Sequence, residues 1–159
     1  MGIAYKFDDD VNTDYIISSR RKRDTVDPKA LSRYLMEDIR EGFGTVVQSG
    51  DFIVAGENFG CGSAMEIAPM VVVASGVRAV IAKSYARAFY RNAINIGLLI
   101  LEADTDAIDE GDELELDDDN TIINHTKNTT VATTDFPPMI KEILALGGIT
   151  AYMEKYEST

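Results

Sequence analysis

Residues 54–73 read Val54-Ala55-Gly56-Glu57-Asn58-Phe59-Gly60-Cys61-Gly62-Ser63-Ala64-Met65-Glu66-Ile67-Ala68-Pro69-Met70-Val71-Val72-Val73. An apolar run over residues 52–55 predicts a buried strand, and it feeds a loop with glycines at 56, 60 and 62. Glycine lets the backbone turn sharply and bring N–H groups close to a ligand, and a helix N-terminus behind the loop adds a positive end. That combination suits a small anion such as a carboxylate or phosphate, with Ser63 near the start of the following helix. Pro69 cannot lie deep in that helix without removing a hydrogen bond, so the spacing predicts a helix beginning near Met65 or Glu66. The glycine spacing matches neither the dinucleotide fingerprint nor the P-loop, and a purely structural turn is the competing reading.

Outward from this segment, short β-like runs fall at residues 4–7, 78–82, 98–101 and 113–116, with 121–123 and 129–133 beyond. Helical patterns sit between the earlier runs. Asp27-Pro28 supplies an N-cap and a proline at the first helical position for a helix over 29–39. Ser84 is placed to cap a helix over 85–96, which Gly97 stops. Pro137-Pro138 leads into 139–146, Gly147-Gly148 interrupts, and a last helix covers 149–156. Alternating strands and helices predict βαβ units, while the polar turns at 117–120 and 124–128 predict a meander. The composite is an α/β fold with a mixed sheet. No repeat or linker marks a second domain, so residues 1–159 read as one.

The formal net charge is −12, yet residues 102–119 hold 11 of the 27 acids and no Lys or Arg. Phosphate neutralisation needs clustered Lys and Arg, so the overall negative sign argues against nucleic acid as a partner. No apolar run approaches the roughly 18 residues of a membrane span, and the acidic residues 8–10 interrupt any leader-like stretch, which predicts a cytoplasmic protein with no membrane partner. The single cysteine, Cys61, rules out an internal disulfide framework and a self-contained iron–sulfur site.

The glycine loop resembles the small subunit of 3-isopropylmalate dehydratase and the matching domain of aconitase and homoaconitase. The family signature N-F-G-C-G-S-S-R-E, followed by H-A-P, corresponds to residues 58–66 and then Ile67-Ala68-Pro69. Two other blocks agree in order. Asp10-Val11-Asn12-Thr13-Asp14-Tyr15-Ile16-Ile17 is similar to D-x-x-T-D-x-I-I, and residues 79–98 follow A-V-I-A-x-S-F-A-R-I-F-Y-R-N-A-x-N-x-G-L. The resemblance covers most of the chain and is weakest from Thr105 onward. It implies the swivelling β/β/α barrel of the aconitase C-terminal domain type.

By the same resemblance, the chain is one subunit of a hydro-lyase active only with a large subunit, which carries a [4Fe–4S] cluster. The chain itself binds no metal. Ser63 becomes the general base acting on a small 2-hydroxy dicarboxylate, with Gly62, Ala64, Met65 and Arg23 at the substrate. The departures from the pattern are Met65 for arginine, Ala64 for serine and Ile67 for histidine. They leave the site short of a cation, which Arg20-Arg21-Lys22-Arg23, in the region of the family's substrate-selecting loop, could supply. Arg23 is the member chosen. The alternatives are a sibling acting on 2,3-dimethylmalate or homoaconitate, and a binding or assembly subunit that has lost the base. Cys61 reads as a small buried filler, His125 as an exposed turn residue, and Arg87 and Arg91 as partners in an ion pair or subunit contact.

Overall fold

A computed structural model describes residues 1–157. Seven strands form one sheet: β1 (Gly2–Lys6), β2 (Phe52–Val54), β3 (Ala79–Ala82), β4 (Ile100–Glu102), β5 (Glu113–Leu116), β6 (Ile122–Asn124) and β7 (Thr129–Val131), in the order β4-β3-β2-β1-β5-β6-β7. The half built from β1 to β4 is parallel, and β1, β5, β6 and β7 pair antiparallel. The two ends of the sheet curl together at a bridge between Ala103 and Thr133, where Thr134 N–H donates to Glu102 O (2.9 Å).

Register explains the core. Tyr5, Ile53, Val80 and Ile100 lie side by side in one row, and the three that are fully buried face the helices. Because successive side chains point to opposite faces, the flanking residues Ala4, Phe52, Val54, Ala79, Ile81 and Leu101 turn the other way. There they meet Leu114, Ile122 and Val131 of the antiparallel half in a second cluster, inside the curl. Strands buried on both faces read as unbroken apolar runs, which is how 52–55 and 79–82 stand out in the sequence.

The helices are α1 (Thr13–Ile16), α2 (Pro28–Leu31), α3 (Phe43–Val46), α4 (Ile67–Ala74), α5 (Arg87–Ile96), α6 (Pro138–Ala145) and α7 (Ile149–Glu157). The helix expected over 29–39 is broken. Asp27 caps α2 as predicted, but a 3-10 turn at Ser32–Tyr34 ends it, Leu35 is extended, and Met36 takes a positive φ of 59°. Leu35 and Met36 are both fully buried, and the break lets Met36 N–H donate to Ile16 O (3.0 Å) instead of continuing the helical ladder.

Ser84 does not cap α5. Its hydroxyl accepts from Asn58 N–H (2.8 Å), Ala86 is the capping residue, and Tyr85 turns inward to donate to Leu101 O (2.8 Å). The acidic run is tied to the fold: Asp106 pairs with Lys83, Asp109 with Lys127 and Glu110 with Arg40, while Asp112 is buried against Asn124. No described helix is long and apolar enough to cross a membrane.

Candidate active site at the glycine loop

The loop leaves the C-terminal end of β2 and is clamped from both sides. Thr13, fully buried at the start of α1, donates its N–H to Cys61 O (2.8 Å) and its hydroxyl to Ser63 O (2.9 Å). This is the physical work of the Asn12-Thr13-Asp14 block: Asn12 caps α1, and Thr13 ties that cap to the loop. Gly62 has φ +91°, and a Cβ there would strike the Asn12 amide; Gly60 has φ +84°, and a Cβ would enter the Phe89 ring of α5. Any side chain at either place would push the loop off its clamps.

With both carbonyls held by Thr13, the other face of the loop is open. No backbone N–H from residue 62 to 66 has an acceptor among the described residues. Ser63 is exposed, and its hydroxyl has no partner within the described residues. Gly62 and Ala64 are likewise exposed, and Met65 is half-buried. The helix behind begins later than expected. Its first residue is Ile67, with Glu66 as the capping residue, so Pro69 is third, where its missing N–H costs nothing, and Ser63 stands clear of the helix instead of capping it.

The basic stretch folds into a 3-10 turn at Arg21–Arg23. Arg20 and Arg21 both reach back to Glu37, at 2.7 and 2.9 Å, Arg20 also touches Asp38 (3.0 Å), and the Arg21 guanidinium lies 3.9 Å over the Tyr34 ring. With its neighbours pulled to that side, Lys22 projects the opposite way and its ammonium rests on Met65 Sδ. Arg23 is exposed and has no partner among the described residues. Lys22 was not singled out from the sequence, because which of four adjacent bases faces the glycine loop depends on where Glu37 holds the others.

Burial works to raise the Glu37 carboxyl, but the hydrogen bond from Arg21 and the charges of both arginines outweigh it and leave its pKa lowered. Its contribution to stability is therefore complete above the ordinary glutamate range and lost as pH falls through the depressed value. Glu37→Gln is expected to lower Tm by a few degrees at neutral pH, with the gap to the parent closing in strong acid. Melts across pH check this. The pairs are partly exposed and worth little singly, so a far larger drop would be out of line.

Cys61, expected as a small buried filler, is half-buried in the loop, and its carbonyl accepts from Thr13 N–H. Burial and the nearby Asp10 push its thiol up, so it stays protonated and is a poor nucleophile or ligand. His125 is exposed, with Nε2 2.7 Å from Glu115. Among the described residues, no three His, Cys, Asp or Glu side chains gather as a metal site would require.

Residues 36–106 match the aconitase C-terminal domain family. Over 96% of its length the chain is 49% identical to 3-isopropylmalate dehydratase small subunit 1 of Archaeoglobus fulgidus, covering 95% of that protein. The chain belongs to the 3-isopropylmalate dehydratase small-subunit family. It is also 48% identical to the methanogen homoaconitase small subunit of Methanocaldococcus jannaschii, over 97% of this chain and 91% of that one. A crystal structure of a 3-isopropylmalate dehydratase from the same organism superposes with a TM-score of 0.93 at 48% identity, over 98% of this chain and 93% of that one. The β/β/α barrel with its mixed sheet is thus the family's fold, and the meander after Thr105, where the sequence resemblance is weakest, falls within the superposed length.

Proposed function

We propose that this chain is the base-bearing small subunit of a cytosolic two-subunit hydro-lyase that interconverts 2- and 3-isopropylmalate by dehydration and rehydration in leucine biosynthesis. The observation that carries the reading is Ser63: an exposed hydroxyl with no partner among the described residues, beside five open N–H groups. It lies on a chain about half identical to a named 3-isopropylmalate dehydratase small subunit. By the family's chemistry, a [4Fe–4S] cluster on the large subunit supplies the Lewis acid for the substrate hydroxyl. The residues of this chain do not fit that cluster, since one half-buried thiol is present and it is held protonated.

Ser63 Oγ, as alkoxide, takes the proton from the carbon beside a carboxylate and next to the carbon that bears the hydroxyl. The hydroxyl leaves as hydroxide and a double bond forms; in the return direction Ser63 gives the proton back to one carbon while hydroxide adds to the other, which restores the alkoxide. A serine is a weak base in water. Preorganised N–H dipoles at residues 62–66 lower the cost of its negative charge, as such dipoles do wherever charge develops in a closed site. Lys22, laid on Met65, takes the place of the family's arginine as the cation for a substrate carboxylate, with Arg23 able to swing in beside it. Gly62, Ala64 and Met65 form the wall against which the substrate lies.

A second reading within the same chemistry is favoured by that wall. Ala64, Met65 and Ile67 are less polar than the family pattern, which suits a 2-hydroxy dicarboxylate with methyl groups, such as 2,3-dimethylmalate, better than homoaconitate. The test is anaerobic co-expression with the large subunit from the same genome, followed by purification and a substrate panel. The expected result is a stable complex whose iron and sulfide stay with the large subunit when the two are separated. Stoichiometric iron on this chain alone would contradict the assignment, and a pair that never associates would end it.

A further inference from the structure

We infer that the groove between α5, α6 and α7 is the surface on which the large subunit docks, by seating an apolar side chain between carboxylates that pair with Arg87 and Arg91. The inference rests on the functional reading above and names the contact surface that reading requires. The groove encloses about 410 Å³. Ile94 and Ile143 form its buried floor, Tyr90 is one wall, and Met139, 55% exposed, lies at its lip.

Arg87 and Arg91 are exposed, four residues apart on one face of α5, and both line the groove. At that spacing like charges repel. Neither has a carboxylate or any other partner among the described residues, although the chain has 27 acids against 15 bases and Arg40, Lys83 and Lys141 all find one. Two unneutralised guanidiniums around an apolar floor are complementary to an acidic, apolar surface on another molecule. Arg, Tyr and Met over a desolvated centre are also the residue types enriched where interfaces concentrate their binding energy.

The helix that bears both arginines adjoins the glycine loop: at its start Ala86 N–H donates to Phe59 O (2.9 Å), and Phe89 lies beneath Gly60. Ser63 and Arg87 thus share the rim formed at the C-terminal ends of β2 and β3. A partner that brings its reacting centre over Ser63 extends onto Arg87, and from there one helical turn along α5 reaches Arg91.

The experiment measures the dissociation constant between this chain and the purified large subunit under anaerobic conditions, for the parent, Arg87→Gln/Arg91→Gln and Arg87→Glu/Arg91→Glu. Circular-dichroism melts and sedimentation of each isolated chain accompany it. The expected result is binding weakened about tenfold by the neutral variant and at least about a hundredfold by the reversed one, with unchanged melts and a shallower salt dependence. Binding by both variants within about twofold of the parent would overturn the inference while leaving the functional reading in place. So would loss of self-association in the isolated chain with large-subunit binding intact, which would give the groove to a second copy. A parent chain that forms no complex at all would instead overturn the functional reading, and this inference with it.

Discussion

Ser63→Ala, assembled with the large subunit, is expected to lower kcat by at least about a hundredfold, the lower end of what a positioned acid–base group contributes. That is about 2.7 kcal/mol of lost transition-state stabilisation. Assembly and stability should be unchanged, because Thr13 holds the loop through the carbonyls of residues 61 and 63 and not through the serine side chain. KM should move little, since the lost interaction belongs to the transition state and not to substrate binding. Single-turnover kinetics on the reconstituted pair, with a melt of the variant chain, provide the check. Near-normal turnover would reduce Ser63 to a loop residue and leave the chain an assembly subunit.

Lys22→Met is expected to act on the other parameter. A charge-assisted bond to a carboxylate is worth about 1.5–3 kcal/mol, so its loss should raise KM for a dicarboxylate by about tenfold to a hundredfold with kcat nearly unchanged. The neighbouring Met65 makes the argument sharper. Met65→Arg alone puts a second cation beside Lys22 and should weaken binding of an alkyl-bearing substrate, because an unpaired buried charge costs more than a methylene contributes. Combined as Lys22→Met/Met65→Arg, the two changes move one cation from the basic turn to the glycine loop and should bring KM back to within a few fold of the parent. Arg23→Gln, by comparison, is expected to have the smaller effect, since Arg23 is exposed and makes no hydrogen bond or ion pair among the described residues. Equal KM values across the whole series would remove both bases from the substrate site.

What could be read ahead of the structure was whatever one stretch of chain decides by itself. All seven strands overlap the β-like runs read from the sequence, although β1 begins two residues earlier and β4 two residues later than its run. The glycine loop was legible because two of its glycines are demanded by positive φ and by close approach of Asn12 and Phe89.

The misses are long-range. Nothing local to residues 29–39 says that the chain must stop being helical at Leu35 so that Met36 can reach Ile16 O, about twenty residues back. Ser84 looks like a helix cap until Asn58 N–H claims its hydroxyl. At the candidate site, the block from Asp10 to Ile17 matched the family, but the two bonds from Thr13 that lock the loop are visible only when β1 and β2 stand side by side. Which of the four bases lies on Met65 was hidden for the same reason, since Glu37 and Asp38, about fifteen residues away, draw off Arg20 and Arg21.

The central claim is that this chain brings a serine base to a reaction whose metal centre belongs to another subunit. It is tested most directly by following formation of the unsaturated diacid, through its ultraviolet absorbance, from a panel of alkyl- and carboxyl-substituted malates under anaerobic conditions. Each subunit is assayed alone and then the two together. The account expects no signal from either subunit alone, turnover from the pair with isopropylmalate or a close alkylmalate as the best substrate, and loss of that turnover with Ser63→Ala. Turnover by this chain alone, or a correctly assembled pair that is silent on every member of the panel, would contradict it.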